Sequence, residues 1–296
     1  MEISAKKRQA LVPWLLLLPG IMLFGVMFLL PMLRLLGISF YEWSSEKGMV
    51  AAYSAGQYVR FLTDPFYLFI IVRTLRLSTI VTIAAILIGY PMAYYINEAH
   101  GKEKTYLTIL TISPLLVSMV IRSLGWKITL GGEGMLNLAL RALGLGPVKW
   151  MYTEMAVIVG LTHIYFPFMV LSIASGLQRV DKNLRLAAQN LGASPLRAFF
   201  TITLPLSIPG VVSGSLVVFA LCTSAFVVPA VLGGPRVTTI AYMAWEQQVM
   251  IWNWPFAAAI SFVLLIISSG VMLSYNKLME SGRFKGAFER TGISGQ

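Results

Sequence analysis

Long runs of apolar residues without a charged side chain alternate along this chain with shorter polar segments. Each run reaches at least the roughly 17 residues that an α-helix needs to cross a bilayer. The six runs are Leu11 to Leu33, Leu77 to Asn97, Thr105 to Ile121, Met155 to Gln178, Ala198 to Pro235 and Gln247 to Asn276. The pattern therefore predicts an all-α integral membrane protein with six transmembrane helices.

The fifth run is too long for one straight span. Pro229 and the turn Gly233-Gly234-Pro235 interrupt its second half, so we expect a helix from about Leu204 to Val228 and irregular structure after it.

Small residues and prolines recur within this fifth run, at Pro209, Gly210, Gly214 and Pro229. They fit two roles equally well: hinges for a gate, or positions where two helices pack closely.

Lys and Arg are distributed unevenly between alternate connecting segments. Thirteen of the 23 lie before Leu11, in 98–104, in 179–203 or after Asn276. Cytoplasmic segments of membrane proteins carry this excess of basic residues, so we expect both termini inside the cell. The outer segments are then 41–65, 131–153 and 233–254.

Composition narrows the class further. Of the 296 residues, 57% are hydrophobic and 12% are charged, against about 45–50% and 25% in soluble domains, which excludes an ordinary soluble or nucleic-acid-binding protein despite the net charge of +11. The single cysteine, Cys222, excludes an internal disulfide. The sequence has no phosphate-binding Gly-x-x-x-x-Gly-Lys-Ser/Thr motif and no metal-ligand cluster. We therefore predict no catalytic residues, no metal and no cofactor in this chain.

The loop from Arg179 to Thr203 differs from the other connections in carrying a helical pattern. Leu184, Ala187, Ala188 and Leu191 recur at helical spacing and predict about two turns of amphipathic helix.

A turn and a second helix follow. Gly192 is placed to end the first helix, and Ser194 followed by Pro195 is typical of an N-cap and a first helical residue. This helix–turn–helix is too short to bury a core, so its surface should meet the span ends or another protein.

The loop resembles the signature loop of permease subunits in binding-protein-dependent ABC importers. It reads Leu186-Ala187-Ala188, three residues, Gly192, nine residues, then Ile202-Thr203-Leu204-Pro205. The family pattern is E-A-A, three residues, G, nine residues, I-x-L-P, so the spacing matches throughout. Leu186 occupies the place of the usual glutamate.

This resemblance implies that the loop is a cytoplasmic coupling helix that docks into a partner ATPase. The ATPase-coupling residues that it implies are Arg185, Leu186, Ala187, Ala188, Gly192, Ser194 and Pro195. The alternative is an amphipathic connector that rests on the membrane surface.

Further segments are similar to the spermidine and putrescine permeases of such importers. The similarity runs from about Arg73 to Tyr275, and four segments carry it: Ser113 to Arg122, Gly134 to Asn137, Phe166 to Val170 and Phe226 to Gly234. It implies a multi-pass protein of the bacterial inner membrane that imports a small solute, most simply a polyamine. The alternatives are a permease for another small organic solute, or a membrane scaffold or enzyme.

The implied partners are a second homologous permease subunit, a cytoplasmic ATPase dimer that binds ATP and Mg, a periplasmic substrate-binding protein and membrane lipid, with no nucleic acid. The implied organisation is an N-terminal span and outer loop at 1–72, a transmembrane core at 73–276 with its coupling loop at 179–203, and a cytoplasmic tail at 277–296.

A cationic solute needs carboxylates or aromatic faces along its path. The candidate path residues are Glu154, Tyr165, Phe226, Trp245 and Glu246. Anchoring at the membrane interface explains such residues equally well.

Two further polar residues lie within predicted spans. His163 suits an interhelical hydrogen bond better than a proton relay or a solute contact. Arg122 is 18 residues beyond Lys104, or roughly 27 Å along a straight helix, which predicts a position near the outer interface.

Overall fold

A computed structural model describes residues 16–281 of the protein. It is mostly helical, which confirms the predicted all-α membrane class. The helices are α1 Leu16–Ile38, α2 Gly56–Thr63, α3 Pro65–Glu98, α4 Gly101–Ile112, α5 Met119–Thr129, α6 Met135–Ala142, α7 Glu154–Gln178, α8 Lys182–Asn190, α9 Pro195–Ala198, α10 Leu204–Thr223, α11 Ile240–Val249 and α12 Trp254–Ser281. A short antiparallel hairpin of β1 Glu42–Ser44 and β2 Gly48–Val50 is also present, which the helical prediction did not include.

Within the described residues, five helices are long and apolar enough to cross a membrane, and a bent pair makes six. The five are α1, α3, α7, the continuous stretch Pro195–Thr223, and Trp254–Tyr275 within α12. The bent pair is Gly101–Leu116 with Met119–Thr129. The number of predicted spans is therefore confirmed.

The third span is not the straight helix that the run from Thr105 to Ile121 suggests. A tight turn at Ser113–Leu116 follows α4, Val117 is extended, and the helix axis bends by 95° before α5. Pro114 lies at the start of that turn, where its fixed φ and missing N–H are tolerated. The distance of roughly 27 Å between Lys104 and Arg122, which assumes one straight helix, was therefore wrong. A position of Arg122 near the outer interface stays a prediction.

The fifth span also differs in its end points. The α-helix α10 stops at Thr223, before the predicted end at Val228. A π-helical turn at Pro229–Gly233 and a 3₁₀ turn at Gly234–Arg236 then form the irregular segment that the proline and glycine pattern predicts.

The chain divides into two compact units, and the described part of the larger one comprises residues 65–243 and 264–281. Its core lies between α3, α7 and α10, where Val81, Ala85, Val157, Val170 and Val218 are buried. Lipid tails are as apolar as these side chains, so close packing and interhelical hydrogen bonds hold such helices together. One of these bonds joins the Tyr90 hydroxyl of α3 to the Ser207 hydroxyl of α10, at 2.7 Å.

The smaller unit comprises residues 1–64 and 244–263, of which the structure describes 16–64 and 244–263. Phe61 of α2 and Phe256 of α12 are fully buried in it, with their rings edge to face at 6.1 Å. The Arg60 guanidinium lies over the Phe256 ring at 4.8 Å from its centre.

The predicted boundaries at residues 72 and 276 fall inside α3 and α12, and the division 1–72, 73–276 and 277–296 stays a prediction. The basic segment before Leu11 and most of the tail lie outside the described residues. The location of both termini inside the cell therefore also stays a prediction.

Candidate functional site

The loop between α7 and α10 begins with α8. The Asp181 carboxylate caps the start of this helix by accepting a hydrogen bond from the Asn183 backbone N–H at 2.9 Å. At the other end, Gly192 has φ +90°, a left-handed conformation that a side chain disfavours. The N–H of Gly192 donates to the carbonyl of Gln189, and the N–H of Ala193 donates to that of Ala188, which closes the helix end.

A second helical segment follows directly. The Ser194 hydroxyl accepts a hydrogen bond from the Arg197 N–H at 3.3 Å, and Pro195 is the first residue of α9. A π-helical turn at Phe199–Thr203 then leads into α10. The predicted helix, glycine turn and second helix are therefore confirmed as structure.

This loop presents large apolar side chains to its surroundings. Five are exposed, and two of them, Leu191 at 89% and Leu196 at 71%, make little contact with the rest of the chain. We call the five residues the apolar loop surface: Leu184, Leu186, Leu191, Leu196 and Phe200. An apolar cluster of this kind marks a site of contact with a partner protein or a membrane.

Arg185, next to Leu186, points back to its own chain. Its guanidinium donates to both carboxylate oxygens of Glu98, at 2.8 and 3.0 Å, and to the Tyr94 hydroxyl at 2.8 Å. The hydrogen bond to Glu98 raises the pKa of Arg185 above its usual value, so the arginine stays charged. Both partners belong to the last turns of α3, so this contact fixes α8 to the end of that helix.

Phe199 makes a second connection to the same end of α3. Its ring lies edge-on to those of Tyr90 and Tyr94, at centroid distances of 5.7 and 5.4 Å. Such edge-to-face contacts are favourable beyond the area that they bury. Nothing in the sequence pointed to Tyr90 or Tyr94, and the only signal for Glu98 was its place as an acidic residue at the end of an apolar run.

Glu154, a candidate for the solute path, is bound to arginines at the start of α7. Its carboxylate lies 3.5 Å from the Arg73 Nε and accepts a short hydrogen bond from Arg76. Arg73 also donates to the Arg236 carbonyl and stacks on the Phe69 ring at 4.4 Å. This arrangement joins α3, α7 and the segment after α10.

The other candidates lie on different elements or further along α7. Tyr165 lies 11 residues further along α7, or about 16 Å away at the helical rise, and is 3% exposed. Phe226 follows α10 and is partly exposed. Trp245 and Glu246 are half-buried in α11 and belong to the smaller unit. Contact of these five residues with a solute stays a prediction.

His163 makes the interhelical hydrogen bond that its position in α7 suggested. The Trp126 indole N–H of α5 donates to the His163 Nδ1 at 3.1 Å, and the two rings meet edge to face. Arg122 of α5 donates to the Ile164 carbonyl at 3.4 Å. Together these contacts hold α5 against α7 beyond the bend.

Among residues 16–281, no three His, Cys, Asp or Glu side chains lie close enough together to hold a metal ion. Cys222 is buried with a free thiol.

Several apolar spanning helices define a multi-pass membrane protein. The family model for binding-protein-dependent transport system inner membrane components matches residues 10–276. The chain belongs to this family, and it is a permease component of the bacterial inner membrane.

Individual relatives agree with this assignment. The chain is 35% identical over 248 residues to the spermidine/putrescine transport system permease protein PotB of Escherichia coli (strain K12), covering 83% of this chain and 90% of that protein. It is 33% identical over 256 residues to PotB of Haemophilus influenzae, covering 85% and 89%. A bacterial ABC transporter involved in the import of the acidic polysaccharide alginate has the same fold, with a TM-score of 0.70 at 18% identity, covering 94% of this chain and 98% of that one.

Proposed function

We propose that this chain is the translocation subunit of an ATP-driven importer for a polyamine such as spermidine or putrescine. A periplasmic binding protein delivers the solute, and a second homologous permease subunit completes the pathway. A cytoplasmic ATPase dimer, which binds the ATP and Mg, supplies the energy. Identity of 33–35% to PotB over most of both chains supports the choice of polyamine.

The apolar loop surface is the observation that carries this proposal. Its five exposed apolar side chains lie in or next to two short helices on either side of Gly192, in the loop whose spacing matches the family signature. In the proposed mechanism it lies in the cytoplasm and docks into the ATPase through Leu186, Ala187, Ala188 and neighbouring residues. Closure of the ATPase on ATP moves the loop and switches the permease pair between two states.

Solute specificity in this proposal comes from carboxylates and aromatic faces. An ammonium group over a Trp, Tyr or Phe ring is attracted by the ring quadrupole. Trp245 and Glu246 offer a ring and a charge at adjacent positions of α11. The chain performs no covalent chemistry in this scheme.

Photo-crosslinking in membranes tests the docking step. A photoreactive amino acid at Leu191 should capture the ATPase subunit. The matched control is Leu116, which is 85% exposed but lies within the bent membrane pair, and there the probe should capture lipid. Capture of lipid alone at Leu191 would instead show that the loop rests on the membrane surface.

A further inference from the structure

The coupling loop is joined to three long helices in two different ways. It continues covalently into α7, which ends at Gln178, and into α10 through the turn Phe199–Thr203. It has no such continuity with α3, which ends at Glu98 and is followed by a separate segment of chain. A displacement of the loop therefore reaches α7 and α10 along the backbone, but reaches α3 only through packing and side-chain bonds.

Two side chains, one from each helix of the loop, make that connection. Arg185 of α8 binds Glu98 with two N–H···O bonds and Tyr94 with a third. Phe199, after α9, packs edge-on against Tyr94 and Tyr90. All of the contacted residues lie on the last turns of α3, so the loop holds that end from both sides of Gly192.

The Arg185–Glu98 pair has the geometry of a mechanical link. A guanidinium with two parallel bonds to one carboxylate resists both sliding and rotation, which a single ammonium contact does not. The side chains are 20% and 32% exposed, so each keeps some access to water when the other is exchanged.

Arg185 lies directly before the position where the loop signature has a glutamate. Here Leu186 takes the place of that glutamate, and Arg185 binds Glu98 of α3. The neighbouring charge in this chain therefore acts inside the subunit.

We propose that Arg185 and Glu98 are positioning residues that make the cytoplasmic end of α3 follow the coupling loop when the ATPase closes. The proposal rests on the proposed function. Without the pair, the loop moves with α7 and α10 while α3 lags, and ATP is hydrolysed with less solute moved.

The experiment measures solute taken up per ATP hydrolysed, with the complete complex and its loaded binding protein in proteoliposomes. Glu98→Gln, which leaves Arg185 available for any contact with the ATPase, should lower this ratio about tenfold, within the usual range of coupling between two sites. Glu98→Arg and Arg185→Glu should each lower it similarly. The swapped double variant, Glu98→Arg with Arg185→Glu, should recover most of it.

The matched control is the Glu133–Arg141 pair, which has the same two-bond geometry at 2.8 and 3.0 Å in an exposed segment away from the loop. Glu133→Gln should leave the ratio unchanged.

Two results overturn the link: an unchanged ratio in Glu98→Gln, and no recovery in a swapped variant that is present in the membrane at normal level. When the wild-type complex transports, either result overturns the link alone and leaves the proposed function standing. If the wild-type complex neither hydrolyses ATP in response to loaded binding protein nor takes up solute, the proposed function fails and the link fails with it.

Discussion

Gly176 of α7 and Gly210 of α10 meet backbone to backbone. A Cβ atom on Gly176 would lie 2.8 Å from the Gly210 Cα, and one on Gly210 would lie 2.8 Å from the Ser172 carbonyl oxygen. Neither contact leaves room for a side chain. Of the two roles open to the glycines of this span, close helix packing is therefore the one that the contact supports at Gly210.

Substituting Gly176 should destabilise the protein. We expect Gly176→Ala to cost about 1–3 kcal/mol, because the added methyl meets backbone that cannot rotate away. Thermal unfolding of the detergent-solubilised complex measures this as a lower Tm. The control is Gly270→Ala in α12, where a Cβ meets nothing within 4 Å and the Tm should be maintained or rise. Equal Tm values for the two variants would contradict the close packing of Gly176 against Gly210.

The turn at Gly192 should be needed for transport. Its φ of +90° costs a non-glycine residue about 1–2 kcal/mol, and more if the side chain is β-branched. We expect Gly192→Val to abolish uptake while the protein remains in the membrane at normal level. Uptake and immunoblotting of the same membranes separate the two effects.

Gly144 provides the control for backbone strain. It also has positive φ, +76°, with open space around its Cα, but it lies outside the coupling loop. Gly144→Val should therefore retain uptake. Normal transport by Gly192→Val would overturn the docking role of the loop.

The bond between Trp126 and His163 should act as structure and not as a proton relay. A double-mutant cycle of Trp126→Phe and His163→Phe should give a coupling energy of about 0.6–1.7 kcal/mol in the Tm-derived stability, as for other hydrogen bonds between membrane helices. In His163→Phe, the shape of the pH profile of uptake should remain that of the wild type. Loss of one limb of that profile would indicate a relay.

Substitutions at Glu246 and Glu154 should have different effects, because we expect Glu246 to contact the solute while Glu154 pairs with arginines of its own chain. Glu246→Gln and Trp245→Ala should raise the KM for polyamine uptake about two- to thirtyfold, the range expected for a lost charge or cation–π contact. In Glu154→Gln, Arg73 and Arg76 lose their shared carboxylate, so the Tm should fall. An unchanged KM in both Glu246→Gln and Trp245→Ala would remove that helix from the proposed path.

Local sequence patterns were sufficient for much of this molecule. Charge-free run lengths predicted the spans, since a bilayer sets a minimum helix length. The loop was predictable because Gly192, Ser194 and Pro195 act through their own backbone and the next few residues.

Contacts between distant parts of the chain were not predictable in this way. Arg185 and Glu98 are 87 residues apart, and the residues around each of them do not indicate that the two are in contact. The prediction of a straight third span failed for a related reason. An apolar run does not show where a helix breaks when the proline lies at the start of a turn, where it is tolerated, and this break bends the helix axis by 95°. The pairing of Glu154 with Arg73 and Arg76 likewise depends on how α3 and α7 pack.

We propose above that this chain converts closure of a partner ATPase into polyamine import. The most direct measurement is ATP hydrolysis by the reconstituted complex, with its binding protein loaded in turn with spermidine, putrescine and unrelated small solutes. We expect stimulation by a polyamine. Stimulation only by another solute would keep the permease and reject the polyamine, and failure to copurify with any ATPase would contradict the proposed function as a whole.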